Sequence, residues 1–175
     1  MLSVVGTSTA SAEQLAPGQI EGAVFAGGVT DGGGLTFGGG IHYAYNTRWL
    51  FVGELGVLTG GDDFVAPLPG VGVGIDSRAI SVDLDALYLF SQSTNQRFTP
   101  YLLAGLGFLR ASATTTVTVL GTTTRVSDAE AGLNIGAGAR WKGGPNWGLR
   151  PELKVFVSDN SSVRISVGLY YQFGR

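Results

Sequence analysis

From about residue 20 to the C-terminus, apolar and polar residues alternate with period two, the spacing of strands whose two faces differ. One stretch puts Leu35, Phe37, Gly39, Ile41, Tyr43 and Tyr45 on one face and Thr36, Gly38, Gly40, His42 and Ala44 on the other. Trp49, Phe51, Gly53, Leu55 and Val57 likewise oppose Leu50, Val52, Glu54 and Gly56. Ile80, Val82, Leu84, Ala86, Tyr88 and Phe90 oppose Ser81, Asp83, Asp85 and Leu87. The pattern returns in Leu133, Ile135, Ala137, Ala139 and Trp141, set against Gly132, Asn134, Gly136, Gly138 and Arg140. It returns again in Leu149 to Val157, where Arg150, Glu152, Lys154, Phe156 and Ser158 form the second face. In the last segment Val163, Ile165, Val167, Leu169, Tyr171 and Phe173 oppose Arg164, Ser166, Gly168, Tyr170 and Gln172. Two more strands, near 19–29 and 100–112, have ambiguous faces, which brings the expected total to eight. Each is near the ~10 residues that cross a bilayer when tilted. No apolar run approaches the about 20 residues that a spanning helix needs.

Alternation alone does not say which face points inward; charge does. Hydrophobic residues make up 44 % of the chain and charged ones 14 %, where a soluble domain carries about 25 % charged. The few strand charges fall on the face rich in Gly, Ser and Asn, and the opposite face is continuously aliphatic and aromatic. Such a surface aggregates in water but suits lipid, and closing the sheet leaves no unpaired edge. The expected fold is therefore all-β: an eight-stranded antiparallel up-and-down transmembrane β-barrel with the polar face as lumen. A net charge of −2 argues against nucleic acid as a partner. The 29 glycines show no Gly-X-Y period, and the absence of cysteine excludes a disulfide scaffold.

Aromatic placement points the same way. Tyr43, Tyr45, Trp49, Phe51, Tyr88, Phe90, Phe98, Tyr101, Trp141, Trp147, Tyr170, Tyr171 and Phe173 cluster at one set of strand ends. Those ends adjoin the connections 46–48, 91–99 and 142–147, so the cluster reads as an interfacial girdle on the periplasmic side. The longer connections, 59–78 and 111–128, are then extracellular loops.

Several segments carry a family resemblance. Thr99-Pro100-Tyr101-Leu102-Leu103-Ala104-Gly105-Leu106-Gly107 and Leu149-Arg150-Pro151-Glu152-Leu153 resemble the small outer-membrane β-barrel proteins of Gram-negative bacteria, of the OmpA/OmpX-like, eight-stranded type. The closing Ser166-Val167-Gly168-Leu169-Tyr170-Tyr171-Gln172-Phe173 is similar to that family's C-terminal assembly signal, with Gly168, Tyr171 and Phe173 at the matching positions. The family usually ends on the final aromatic, whereas Gly174-Arg175 follow here. The resemblance covers about 18–175, read as the barrel domain, and implies the bacterial outer membrane and the barrel-assembly machinery as a partner in biogenesis. Residues 1–17 read as the remnant of a signal peptide or a flexible tail, with Ala10-Ser11-Ala12 as an A-x-A-like cleavage site.

The candidate chemistry is sparse. Asp62, Asp63 and Asp76 in the 59–78 loop carry oxygens that suit a hard cation, but without EF-hand spacing a solvated loop is the better reading. The glycines Gly70, Gly72 and Gly74 do not complete a dinucleotide fingerprint. Thr114 to Val126 reads as a hairpin above the membrane, a ribbon able to meet a partner by edge addition. His42, the only histidine, stands in no catalytic motif and reads as a packed lumen residue. No catalytic, metal or cofactor residue is expected, and the protein does not read as an enzyme.

The one polar constellation is in the lumen. Glu54, Asp83, Asp85 and Glu152 confront Arg140, Arg150, Lys154 and Arg164 inside a narrow tube. Burial forces such charges to pair, so Glu54, Asp83 and Asp85 are expected to pair with Lys154, Arg140, Arg150 or Arg164. Ion pairing that fills the barrel is favoured over a selectivity constriction, because eight strands leave an interior just filled by side chains. The interfacial girdle is assigned to Tyr43, Tyr45, Trp49, Tyr88, Phe90, Trp141 and Trp147 of the aromatic cluster. The expected role is structural, membrane-anchoring or surface-interactive, in a monomer contacting lipid and lipopolysaccharide, with a narrow porin-like channel as the alternative. An outer-membrane lipid hydrolase and a soluble lipid-binding barrel rank lower.

Overall fold

The computed structural model describes residues 15–30, 34–65, 72–90, 97–117 and 122–173, with side chains described outside 61–77 and 113–125. Eight strands run in chain order: β1 (Ile20–Val29), β2 (Leu35–Ala44), β3 (Trp49–Val65), β4 (Gly72–Leu89), β5 (Phe98–Val117), β6 (Thr122–Lys142), β7 (Trp147–Val157) and β8 (Ser162–Phe173). Each pairs antiparallel with its chain neighbours, and β1 closes on β8 from Ile20↔Phe173 to Val29↔Arg164. The result is a closed up-and-down barrel with every edge paired around its girth. Residues 1–14 and 174–175, and with them most of the expected signal remnant, lie outside the described residues.

Alternation decides which way each strand faces. Leu35, Phe37, Ile41, Leu55, Leu84, Ile135, Ile165 and Val167 all turn outward and are exposed, while Glu54, Asp83, Arg150 and Lys154 are buried in the lumen. The two ambiguous strands are now placed. β1 turns Glu21 and Phe25 inward and Ile20 and Val24 outward; β5 turns Tyr101 and Leu103 inward and Leu102 and Leu106 outward.

The connections correct the sequence reading. The segments 59–78 and 111–128 are largely strand, because β3 and β4 stay paired to Val65↔Gly72 and β5 and β6 to Val117↔Thr122. Their middle pair also continues, to Val73↔Val117. Strands β1, β2, β7 and β8 stop far lower, at 29, 35, 157 and 162. A four-stranded wall therefore rises from one side of the rim. The glycines and aspartates of 59–78 read as loop on composition, but their described backbones extend the β3–β4 ladder, and the ribbon expected over Thr114 to Val126 is present as the paired ends of β5 and β6. Asp62, Asp63 and Asp76 sit in this wall, and their side chains lie outside the described residues.

At the opposite end the described connections, 45–48 and 143–146, are short turns. Asn46 Oδ1 accepts the N–H groups of Arg48 and Trp49 at 2.8 and 2.9 Å, an Asx-type turn. In single-chain outer-membrane barrels short turns face the periplasm and longer extensions face outward. Inside, glycine makes room for rings: a Cβ at Gly138 would stand 2.4 Å from the Tyr101 hydroxyl, so only glycine seats that ring.

Candidate functional site

The lumen is filled in three layers. At the periplasmic end, Leu15, Ala44, Leu50, Val52, Leu87, Leu89, Tyr101 and Leu103 form one apolar cluster. Leu15 precedes β1 and is carried in by a turn at Gly18, whose φ of 84° suits glycine. The Gly18 N–H donates to the Ala44 carbonyl at 2.7 Å, and the Ala44 N–H to that of Gln19 at 2.9 Å. The segment thus folds across the barrel mouth with Leu15, only 6 % exposed, as a stopper.

The second layer is built on Glu21. Arg140 donates two hydrogen bonds to its carboxylate, at 2.9 and 2.6 Å, and Gln172 a third at 2.9 Å. The guanidinium also lies 4.1 Å over the Tyr170 ring. His42 links this layer to the next. Arg150 can only donate, so His42 Nε2, 3.0 Å from it, accepts; Nδ1 then carries the proton and donates to Glu21 at 3.2 Å.

The third layer centres on Glu54. It accepts from Arg150, from Lys154 Nζ at 3.1 Å and from Arg164 at 2.8 Å. Lys154 also reaches Asp85 at 2.5 Å, with Asp83 and Glu152 at 3.7 and 3.8 Å. Arg164 spans Asp83 at 3.3 Å and Glu152 at 3.2 Å, and packs 4.6 Å over the Phe25 ring. Asn134 Nδ2 bridges Asp83 and Asp85 at 2.9 Å each, and the Tyr101 hydroxyl donates to Glu152 at 2.8 Å. Strands β3 and β4 hold three of the carboxylates and β7 and β8 the cations, because these strand pairs face each other across an eight-membered ring. Above this layer the lumen opens outward into a cavity of about 70 Å³ between Leu58, Leu109 and Phe156, floored by Asp83, Asn134 and Arg164.

All eight charged residues expected in the lumen stand there, but the partners differ in one respect. Arg140 pairs with Glu21, not with Glu54, Asp83 or Asp85, because it lies one layer nearer the periplasm. Glu21 was missed together with the face of β1; it is that strand's only charge, and the rule that strand charges face inward finds it. Tyr101 and Tyr170 are corrections to the girdle: both are 1 % exposed and point into the lumen. Tyr43, Tyr45, Trp49, Phe90, Trp141 and Trp147 are exposed at the periplasmic strand ends, and Tyr88 is half-buried there against Trp49, with ring centres 5.1 Å apart. On β8, Gly168 faces inward opposite Phe25, and Tyr171 and Phe173 face outward opposite Gly22 and Ile20.

A closed eight-stranded barrel with an apolar exterior and an ion-paired interior is a transmembrane barrel, and sequence comparison agrees. The outer membrane protein beta-barrel domain family matches residues 1–173, and the chain belongs to that family. It is a protein of the bacterial outer membrane. No curated protein matches its sequence. Among solved structures it is similar to a major outer membrane protein of Thermus thermophilus (16 % identity, TM-score 0.67, covering 89 % of this chain and 98 % of that one). It is also similar to the N-terminal β-barrel domain of Pseudomonas aeruginosa OprF (18 %, 0.63, 91 % and 100 %). A third likeness is to Ail, the attachment invasion locus protein of Yersinia pestis (19 %, 0.58, 89 % and 97 %). At such identities these are likenesses of fold.

Proposed function

We propose that the protein is a closed structural barrel that anchors and presents a surface, without catalytic activity. The observation that carries this reading is the lumen: an apolar stopper at one end and two interlocked ion-pair layers above it. His42 has both ring nitrogens engaged, by Glu21 and Arg150, which leaves it no free base for hydrolysis. The surface on offer is the wall formed by β3 to β6. Among the described residues, pairing of β3 to β2 ends at Thr59 and of β6 to β7 at Leu133, so the wall's backbone has edges on β3 above Gly60 and on β6 before Leu133. A partner's extended segment fits such edges by strand addition. In this reading the exposed aromatics form the interfacial girdle, lipid and lipopolysaccharide surround a monomer, and the assembly machinery reads Gly168, Tyr171 and Phe173. No cofactor enters the reading.

A narrow channel is the second reading, favoured by the cavity that already opens the outer part of the lumen. Thiol access separates the two, because the chain contains no cysteine. Val52→Cys places one thiol in the lumen, at a site 4 % exposed. A closed barrel leaves it unlabelled by a charged, membrane-impermeant maleimide from either side. Rapid labelling of the folded protein overturns the closed reading.

A further inference from the structure

The lipid-facing surface of the barrel is uneven at one place near its periplasmic end. Phe51 on β3, Ala86 on β4 and Ala104 on β5 stand in one cross-strand row, and Gly53 follows Phe51 on the same face. Gly53, Ala86 and Ala104 floor a hollow of about 420 Å³ walled by the exposed side chains of Tyr43, Phe51 and Leu84. Small-ligand sites are of similar size, about 300–1,000 Å³. A Cβ on Gly53 would meet only Leu84 Cδ2, at 3.6 Å, so no neighbour takes up the space left there. In a bilayer such a hollow is filled by hydrocarbon, because an empty one forfeits the dispersion contacts of its whole wall.

A cation stands directly below it. Trp49 and Tyr88 form the next row toward the periplasm, with ring centres 5.1 Å apart, and the Arg48 guanidinium donates to the Tyr88 hydroxyl at 3.4 Å. Tyr88 is two residues from Ala86 on the same face of β4, about 7 Å along the strand. Arg48 is exposed, and among the described residues no carboxylate pairs with it. A guanidinium carries five N–H donors, so the contact to Tyr88 leaves most of them to an acceptor from outside. Arg97 and Lys142 add positive charge to the same rim, and among the described residues no exposed carboxylate stands there.

We propose that the outer face of β3 to β5 binds one anionic glycerophospholipid of the periplasmic leaflet. Its phosphate sits at Arg48 beside the Tyr88 hydroxyl, its glycerol passes the Trp49–Tyr88 pair, and one acyl chain lies in the hollow over Ala86, Ala104 and Gly53. A zwitterionic headgroup fits less well, because its ammonium brings a second positive charge to a rim that is already cationic. The site rests on the girdle reading of Trp49 and Tyr88 and is independent of whether the lumen conducts.

Amide NMR of the full chain in phosphatidylcholine nanodiscs tests this by replacing phosphatidylcholine stepwise with phosphatidylglycerol at constant salt. Saturating shifts are expected at the Arg48, Ala86 and Ala104 amides and not at Ile165 and Val167, which face lipid on β8. Phosphatidylglycerol with a doxyl label on its acyl chain is expected to broaden the Gly53 and Ala104 amides more than phosphatidylcholine with the same label. Arg48→Gln is expected to weaken the lipid roughly fivefold, the worth of one interfacial cation. Ala104→Leu, which fills the hollow, is expected to reduce the acyl-chain broadening; the titration of the unmodified protein needs neither variant to fold. Shifts that grow linearly with the phosphatidylglycerol fraction, equal broadening by the two labelled lipids, the same shifts from inorganic phosphate, or an unchanged affinity in Arg48→Gln would each overturn the proposal. Headgroup-labelled phosphatidylcholine, read at the Trp49 and Trp141 indoles, tests the girdle separately, so failure of the site and failure of the girdle read differently.

Discussion

Neutralising Glu54 and Lys154, alone and together, separates an interlocked charge layer from a set of independent surface-like pairs. Lys154 Nζ touches Glu54 at 3.1 Å and Asp85 at 2.5 Å, and all three side chains are buried. Lys154→Met leaves four carboxylates against two cations, whereas Glu54→Gln leaves three against three. Breaking a buried pair from one side costs about 3–5 kcal/mol. Lys154→Met belongs at the top of that range and Glu54→Gln below it, since only the first adds to the charge imbalance. With a urea slope of about 2 kcal/mol/M, the lysine variant lowers the unfolding midpoint in lipid by roughly 2.5 M. The double variant removes both ends of one contact, so its loss is smaller than the sum of the singles by about 1 kcal/mol or more. Urea titrations of the unmodified protein and the three variants in liposomes, followed by tryptophan fluorescence, measure all four corners of the cycle. Additivity within about 0.5 kcal/mol would refute direct coupling. A glutamate variant as damaged as the lysine one would refute the charge count.

Other perturbations address the remaining layers. Leu84 is 63 % exposed on the outer face, so Leu84→Arg should cost about 2–4 kcal/mol in lipid, and Ser81→Arg, on the lumen side, should be milder; equal folding yields would contradict the face assignment. Leu15→Ala should lower stability by about 2–5 kcal/mol, as expected for a buried leucine, read from the same urea midpoint. Phe173→Ala should reduce outer-membrane levels in cells and leave precursor in the periplasm, measured by fractionation. Glu130 lies above the last β6–β7 pair, and the Asn160 N–H, 3.0 Å away, with the Ser158 hydroxyl beside it, holds its carboxyl below the ordinary carboxylate range. Its folded pKa is depressed, so this tether is present above the unfolded value of about 4.3 and is lost as pH falls through the folded one. Hydrogen exchange at Asn160 should therefore lose protection only in acid, and Glu130→Ala, which removes the acceptor, should lose it at every pH.

How much of this was legible depended on contrast between strand faces. On β4 the sequence Ile80 to Asp85 alternates large apolar with small or acidic residues, and either face is recognisable at once. On β1, Phe25 sits inside and Val24 outside, and on β5 the leucines 102 and 103 point opposite ways; period two is present, but hydrophobicity does not distinguish the faces. That ambiguity hid Glu21, and with it the partner of Arg140. Tyr101 and Tyr170 read as girdle because they stand near the right strand ends, yet their parity places them inside, against Glu152 and Arg140. In the wall of β3 to β6 the Thr114–Val126 ribbon was legible, but the extension of β3 and β4 was missed for another reason. Its ladder depends on backbone pairing between segments rich in Gly and Asp, which local composition cannot report. The stopper at Leu15 depends on a single turn that brings the chain back across the mouth, and no periodicity marks it.

Current through the folded protein in a planar bilayer tests the central claim most directly, because the proposed closed lumen, stopped by Leu15 and locked by two ion-pair layers, would leave no continuous water path. The account predicts no steady conductance above the bare bilayer in symmetric potassium chloride. Steady, ion-selective current through the unmodified protein would contradict it and make the barrel a channel.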